Sequence, residues 1–359
     1  MKNILVVDDS ALMRSVICDI INSDSRFRVV DRATNGEEAL ALLERKTYDA
    51  VVLDVNMPKM NGLELLKALR DRKIAAKVVM ASTDTRDGAK TTLDALSLGA
   101  IDFVHKPDRA FECKNGTFDK KLMNILEVVC NSKASSFKEE TEEEKKAKME
   151  ASKKLVALVS ASSKSFTGKQ IVALASSTGG PKALQEVVPK LPKNLKAPMV
   201  IVQHMPAGFT QSLADRLNDL SEITVTEAKD GEILENGHVY ISKGGKHLNL
   251  DNVGGKLKVR YSDEPTREGV KPCANYMFES LATYDAERII CVVLTGMGAD
   301  GTEGIKNLSK SKKIFVIAQD EDSSTVYGMP KAIYNSGLTN VVVPLDKVAQ
   351  EIIMNAGVS

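Results

Sequence analysis

Apolar positions in the first third of the chain follow two alternating periods. Short runs rich in β-branched residues at Ile4–Val7, Arg28–Arg32, Ala50–Leu53, Lys77–Ala81 and Asp102–Val104 predict strands. Amphipathic stretches at Ala11–Asn22, Gly36–Lys46, Leu63–Arg70 and Ala89–Leu98 predict helices between them. Such alternation calls for a parallel sheet with helices on both faces. Ligands of these sheets bind beyond the carboxyl ends of the strands, so functional side chains are sought there.

The rhythm stops after Cys130. The following residues carry SSFKEETEEEKKAKMEASKK and then SASSKS. Glu-before-Lys order suits an exposed helix and the serines suit a joint, so a solvated, partly helical linker is expected. The rhythm resumes with strands expected at Gln170–Ala175, Met199–Gln203, His238–Ser242, Lys256–Arg260, Arg288–Leu294 and Lys313–Ala318. Helices are expected after Pro181, Phe209, Cys273, Gly301, Gly328 and Leu345. The Gly-Gly pairs at 244–245 and 254–255 bracket HLNLDNV, which reads as a β-hairpin laid onto the main sheet. A chain of 359 residues exceeds what one core usually supports. The expected fold is α/β in two domains: a five-stranded parallel doubly wound domain over 1–130 and a linker over 131–168. A mixed α/β doubly wound sheet with a β-hairpin over 169–359 completes it.

Composition narrows the function classes. Lys+Arg and Asp+Glu number 49 and 48, leaving a formal charge of +1 and no global nucleic-acid footprint. Trp is absent and aromatics make up 4%, which disfavours a sugar- or base-stacking platform. The apolar run in MKNILVVDDS is too short for a signal peptide, and no later run approaches membrane-spanning length. Five scattered cysteines without a C-x-x-C pattern read as reduced thiols of a cytoplasmic protein.

Asp8 and Asp9 follow the first expected strand and Asp54 follows the third, so three carboxylates converge on one sheet edge. Without a cation they would repel, and a hard divalent ion such as Mg²⁺ resolves this. Ser82 closes the fourth strand and Lys106 the fifth, adding a hydroxyl and an ammonium. A carboxylate can attack a phosphoryl donor while cations neutralise the transferred group. Helix capping by loop acids would explain one such residue, but not five matching positions. VVDDS, LDVNMPKMNGLELL, MAST and GAIDFVHKP resemble two-component receiver domains over roughly Met1 to Val129. The resemblance implies that Asp54 is the phosphoacceptor and that Asp8 and Asp9 hold Mg²⁺ with it. It further implies that Ser82 and Lys106 contact the phosphoryl group and that Phe103 is the aromatic switch position.

In the second domain the first strand runs into SSTGGPKAL, a strand–Ser–Gly–helix turn. Gly179 and Gly180 allow a tight bend and Pro181 suits a first helical turn. A serine there has helix N-terminal amides nearby, as a nucleophile with oxyanion donors requires. A phosphate cradle and a plain structural turn are the alternatives, although G-x-G-x-x-G and Gly-Lys-Ser/Thr are absent. Of four histidines, His105 adjoins Lys106, His238 and His247 lie near the hairpin, and His204 immediately follows an expected buried strand. Asp300, in TGMGADGTEG, lies beyond another strand end. Three strands thus deliver Ser177, His204 and Asp300 to one face, as a triad recognised by geometry requires.

SSTGGPKAL, QHMPAGFTQSLADRL, GHVYIS…HL, LTGMGADGTEG and QDEDSSTVYGMPKA resemble the chemotaxis protein-glutamate methylesterases over roughly Lys169 to Asn355. The resemblance implies Ser177 as nucleophile, His204 as base, Asp300 as its orienter, the Met297 amide in the oxyanion hole and Thr178 beside the site. It selects Ser177 over Ser176 by motif order. It implies chemoreceptor methyl-glutamate as substrate, methanol as product, glutamine deamidation as a related activity and a chemotaxis histidine kinase as phosphodonor. Phosphorylation at Asp54 is expected to raise activity; neither nucleic acid nor membrane insertion is implied, and no cofactor is expected in the esterase domain. Where the family shows a His-Arg-Pro-Ser-Val-Asp-like run, this chain has Val270, Lys271, Pro272, Cys273, Ala274 and Asn275. The triad is expected to lie away from that run, which leaves activity intact. A DNA-binding output would need a helix-turn-helix and a basic face, which the α/β pattern opposes. A catalytically inactive receptor-binding output is the other rival.

Overall fold

The structure, a computed structural model, describes residues 1–82, 86–107, 113, 118–132 and 168–358. The chain divides into two compact units, Met1–Glu139 and Glu140–Ser359. The charged linker expected over 131–168 falls, from 133 to 167, outside the described residues. Among the described residues no helix is long and apolar enough to cross a membrane.

In the first unit, strands β1 (Lys2–Val7), β2 (Phe27–Ala33), β3 (Ala50–Asp54), β4 (Val78–Ser82) and β5 (Asp102–His105) form one sheet. Their order is β2-β1-β3-β4-β5 and every pair is parallel. The helices are α1 (Ala11–Asn22), α2 (Gly36–Leu43), α3 (Gly62–Asp71), α4 (Arg86–Ser97) and α5 (Phe118–Asn131). Strand residues of one parity (Ile4, Val6, Ala50, Val52, Val79 and Ala81) form a core with Ile17 and Ile21 of α1 and Leu122, Leu126 and Val129 of α5. The period-2 alternation of strand side chains makes that face possible. Helix starts are set locally: Ser10 caps α1, Asn35 caps α2, and Asn61 with Glu64 forms a capping box on α3. Helix α5 was not among the expected elements. Its apolar stripe is broken in the linear sequence by Lys120, Lys121, Asn124 and Glu127, although Phe118, Leu122, Leu126 and Val129 keep the helical period.

The second unit contains a seven-stranded sheet built from β6 (Gln170–Ser176), β7 (Met199–Gln203), β8 (Thr224–Glu227), β9 (His238–Ile241), β12 (Arg288–Val293), β13 (Ile314–Gln319) and β14 (Val341–Val343). Its order is β14-β13-β12-β6-β7-β9-β8, and its pairs are parallel throughout. Among the named strands, antiparallel pairing is confined to a separate hairpin of β10 (His247–Val253) and β11 (Lys256–Ser262). Leu248, Leu250, Leu257 and Val259 of the hairpin share one core with Ile171, Ala173, Val200, Ile289 and Cys291 of the sheet. Helices α6 (Gly180–Val187), α7 (Phe209–Leu220), α8 (Ala274–Ser280), α9 (Thr302–Ser309), α10 (Met329–Asn335) and α11 (Leu345–Ala356) complete the unit. The chain winds outward from β6 through β7, then returns to β12 and winds outward the other way. The carboxyl ends of β6 and β12 therefore flank the switch point where such sheets place their ligands.

Candidate functional site

In the first unit, β1 ends at Val7 and releases Asp8, while β3 ends on Asp54. Asp8 and Asp54 are buried and Asp9 is exposed, and one carboxylate oxygen from each lies within 4.8 Å of the other two. Lys106, also buried, places its Nζ 2.7 Å from Asp54 Oδ1 and 3.1 Å from Asp8 Oδ2. Asp54 Oδ1 also accepts the Val55 amide at 2.7 Å. Burial pushes the Asp54 carboxyl above its usual range, and Lys106 opposes that shift without cancelling it. Three oxygen donors at this spacing fit a hard divalent cation. Ser82 is buried at the end of β4, its carbonyl accepting the Lys106 amide at 2.7 Å, and Phe103 is buried within β5. A Cβ at Gly62 would fall 2.3 Å from the Asp54 carbonyl oxygen, so the chain after β3 turns closely around that residue.

In the second unit, β6 ends at Ser176, whose buried hydroxyl donates to Gln203 Oε1 at 2.7 Å. Gln203 Nε2 in turn donates to the carbonyls of Ser177 and His204, at 3.0 and 3.2 Å. Ser177 is partly exposed, and its amide donates to the Thr295 carbonyl at 3.0 Å. Of the two adjacent serines, one hydroxyl is thus engaged inside the sheet and the other reaches the surface at the switch point. The turn is closed by Gly179, whose φ of 76° is left-handed, and Pro181 stands in the first turn of α6. The Met297 side chain is exposed, and its amide, like that of buried Thr178, makes no hydrogen bond among the described residues. Free backbone amides are donors of the kind a developing oxyanion needs.

His204 follows β7 directly and pairs its Nε2 with Asp300 Oδ2 at 2.7 Å, both side chains being almost wholly buried. Burial acts to raise the Asp300 carboxyl, but His204, the Cys273 thiol and the Ala274 amide outweigh it and hold it below its usual range. An ionised Asp300 only accepts, so the proton of this bond belongs to Nε2 and Nδ1 is left as the basic atom. Among the described residues Nδ1 makes no hydrogen bond.

Asp300 accepts more than the imidazole. The Ala274 amide donates to its Oδ2 at 2.6 Å, while the Asn275 amide, the Gly301 amide and the Cys273 thiol donate to Oδ1 at 3.0, 2.9 and 3.0 Å. Asn275 Oδ1 also accepts the amides of Gly301 and Gly304, tying α8 to the start of α9. This corrects the expectation that the run 270–275 lies away from Ser177, His204 and Asp300. Three of its residues hold the carboxylate directly, although 25 to 27 positions separate them from Asp300 in sequence. Of the remaining histidines, His238 bonds Thr226 at 2.9 Å and His247 is buried behind Cys273, whose amide donates to its Nδ1 at 3.2 Å.

A family model described as CheB methylesterase matches residues 172–352, and one described as response regulator receiver domain matches residues 4–113. A Bacillus licheniformis protein named protein-glutamate methylesterase/protein-glutamine glutaminase is 43% identical, over 98% of this chain and 98% of its own length. A protein of the same name from Geobacillus kaustophilus is 42% identical, over 99% of this chain and 98% of its own. The crystal structure of the Thermotoga maritima CheB methylesterase catalytic domain superposes with a TM-score of 0.50 at 42% identity, covering 52% of this chain and 98% of that domain. With a matching family model over half its length and relatives above 40% identity along nearly all of it, this chain belongs to the CheB methylesterase family.

Proposed function

We propose that the chain is a phosphorylation-activated protein-glutamate methylesterase acting in the cytoplasm on methyl-accepting chemoreceptors. The observation that carries this reading is the His204–Asp300 pair, bonded at 2.7 Å at the strand ends beside Ser177. Ser177 Oγ attacks the γ-carbonyl carbon of a methyl-glutamate side chain and gives its proton to His204 Nδ1. Asp300 stabilises the resulting imidazolium through Nε2, and the amides of Met297 and Thr178 receive the oxyanion. The tetrahedral intermediate collapses with loss of methanol, which takes the proton back from His204. Water, deprotonated by the same imidazole, then releases the glutamate carboxylate and regenerates Ser177. Glutamine deamidation uses the same sequence with ammonia as the leaving group, and the names of the full-length relatives favour it as a second activity.

In the receiver domain Asp54 is the nucleophile toward a phosphoryl group from a chemotaxis histidine kinase. Mg²⁺, held by Asp8, Asp9 and Asp54, would supply neutralising charge to that group. Lys106 Nζ, already 2.7 Å from Asp54, pairs with the phosphoryl oxygens, and Ser82 donates its hydroxyl to them. Phosphorylation shifts the receiver between two arrangements, Phe103 marking the change, and raises esterase activity.

The decisive experiment follows methanol release from methylated receptor membranes with and without a small phosphodonor. Wild type releases methanol faster with the phosphodonor, and Ser177→Ala releases none. Undiminished release by Ser177→Ala would overturn the catalytic reading and leave a receptor-binding output as the alternative.

A further inference from the structure

The thiol of Cys273 stands just before α8, and the esterase chemistry above assigns it no task. It is wholly buried, at the N-cap position of α8, and donates to Asp300 Oδ1 at 3.0 Å. Burial and the adjoining Asp300 carboxylate push the thiol upward, so the sulfur keeps its proton and can only donate to that oxygen. Its backbone is anchored from the other side. The Cys273 amide donates to Nδ1 of His247, which is wholly buried on the hairpin with its ring tilted against Tyr276. Burial, aided by the Lys271 charge, depresses the His247 imidazole, which suits a neutral ring accepting at Nδ1. The thiol is thus fixed at its root by one histidine while its tip fixes the carboxylate that orients another.

We propose that Cys273 is a positioning residue for Asp300, and through it for His204; the inference rests on the triad reading above. Asp300 has two oxygens and a rotatable carboxyl. Oδ2 serves His204, and the donors gathered on Oδ1 stop the group from turning. The thiol bond also withdraws charge from the carboxylate. Without it Asp300 is a stronger anion beside the imidazole, which then retains a proton to higher pH. A side chain that merely filled space would have neither effect.

The test uses the full chain with Cys273→Ala, Cys273→Val and Cys273→Ser, histidine-selectively labelled with ¹⁵N. The His204 ring signals, assigned by comparison with a His204→Gln sample, are followed against pH, and kcat and KM are measured across the same range. In Cys273→Ala and Cys273→Val the His204 signals and the acid limb of kcat/KM move to higher pH by roughly half a unit, with kcat about fivefold lower and KM unchanged. Cys273→Ser, a hydroxyl donor, restores both. Coincident His204 titrations in wild type, Ala and Val variants would overturn the proposal, as would a serine variant as impaired as the alanine one. Should Cys273→Ala fail to fold, the Val and Ser pair carries the comparison. The ring titration needs no substrate, so a chain that hydrolysed no methyl ester would refute the esterase reading while the Cys273 assignment was still decided.

Discussion

Ser176 and Gln203 close a wholly buried hydrogen bond of 2.7 Å immediately before the serine assigned as nucleophile. Gln203 holds the next two links as well, through the carbonyls of Ser177 and His204. The pair therefore sets the distance between the strand ends that carry Ser177 and His204. Ser176→Ala leaves a buried amide oxygen without its donor, at a stability loss of about 1–3 kcal/mol. Activity falls by no more than roughly tenfold, because no reacting atom is lost. Ser177→Ala is the reverse: folding is kept and ester hydrolysis is abolished. Denaturant titration and methanol release on the two variants separate the roles, and equal loss of activity in both would contradict the assignment.

Asp300→Asn probes the tautomer. An amide in this place offers an NH₂ group or a carbonyl to Nε2, and its NH₂ rotamer forces the imidazole proton onto Nδ1. The ring then cannot take a proton from Ser177, and it loses the charge that stabilises its protonated form. A fall in kcat of about 10³–10⁴-fold with little change in KM is expected, by analogy with the serine-protease triad. The Asn variant also turns an NH₂ donor toward the amides of Ala274 and Asn275 or the Cys273 thiol. A lower melting temperature should accompany the kinetic loss.

Gly296 tests how closely the site is built. A Cβ there would lie 2.8 Å from Ser177 Cβ and 2.3 Å from Met329 Sδ, inside any normal contact distance. Met329 can swing its thioether aside, but the Ser177 backbone is pinned by Thr295 and Gln203. Gly296→Ala should therefore displace Ser177 and lower kcat by about 10²-fold, with a stability loss of about 1–3 kcal/mol from overpacking. A fully active alanine variant would show that the turn yields more easily than its contacts imply.

The sequence was most legible where a residue ends a strand. Ser177 and His204 directly follow strands of the second sheet and Asp300 lies in the loop after another, while Asp54 and Lys106 stand at strand ends of the first, so topology alone gathers each set at the carboxyl edge of its own sheet. Helices opening on glycine, proline or phenylalanine were equally clear, because each turn marks its start. Strand Thr224–Glu227 was missed because, as an edge strand, it buries only Val225 fully, and Val341–Val343 because three residues carry no period. The donors around Asp300 were illegible for another reason. Cys273, Ala274 and Asn275 act largely through backbone amides at a helix start, and no side-chain pattern announces where an amide will point. The contact of that run with the carboxylate therefore shows only in the fold.

Lys106 and Asp54 form a buried ion pair at 2.7 Å that does not fully balance the burial of the acid. A carboxyl raised above its unfolded value contributes stability that is complete below the unfolded pKa and is lost as pH rises through the folded one. At neutral pH the ionised Asp54 is thus a local burden on the first unit, sharpened by Asp8 beside it. Asp54→Asn removes that charge while Lys106 retains Asp8 at 3.1 Å. Hydrogen exchange of the β3 and β4 amides, which reports the first unit alone, should slow in Asp54→Asn at pH 7 by a factor of about five to ten. The difference should shrink as the pH is lowered toward the carboxyl range. Millimolar Mg²⁺ should protect the wild-type amides more than those of the variant, since a ligand of the native state stabilises only where it binds. The same variant should incorporate no phosphate from a small-molecule donor and should show no phosphodonor-dependent rise in methanol release. Exchange that quickens in Asp54→Asn at neutral pH would mean that the Lys106 pair outweighs the burial of the acid.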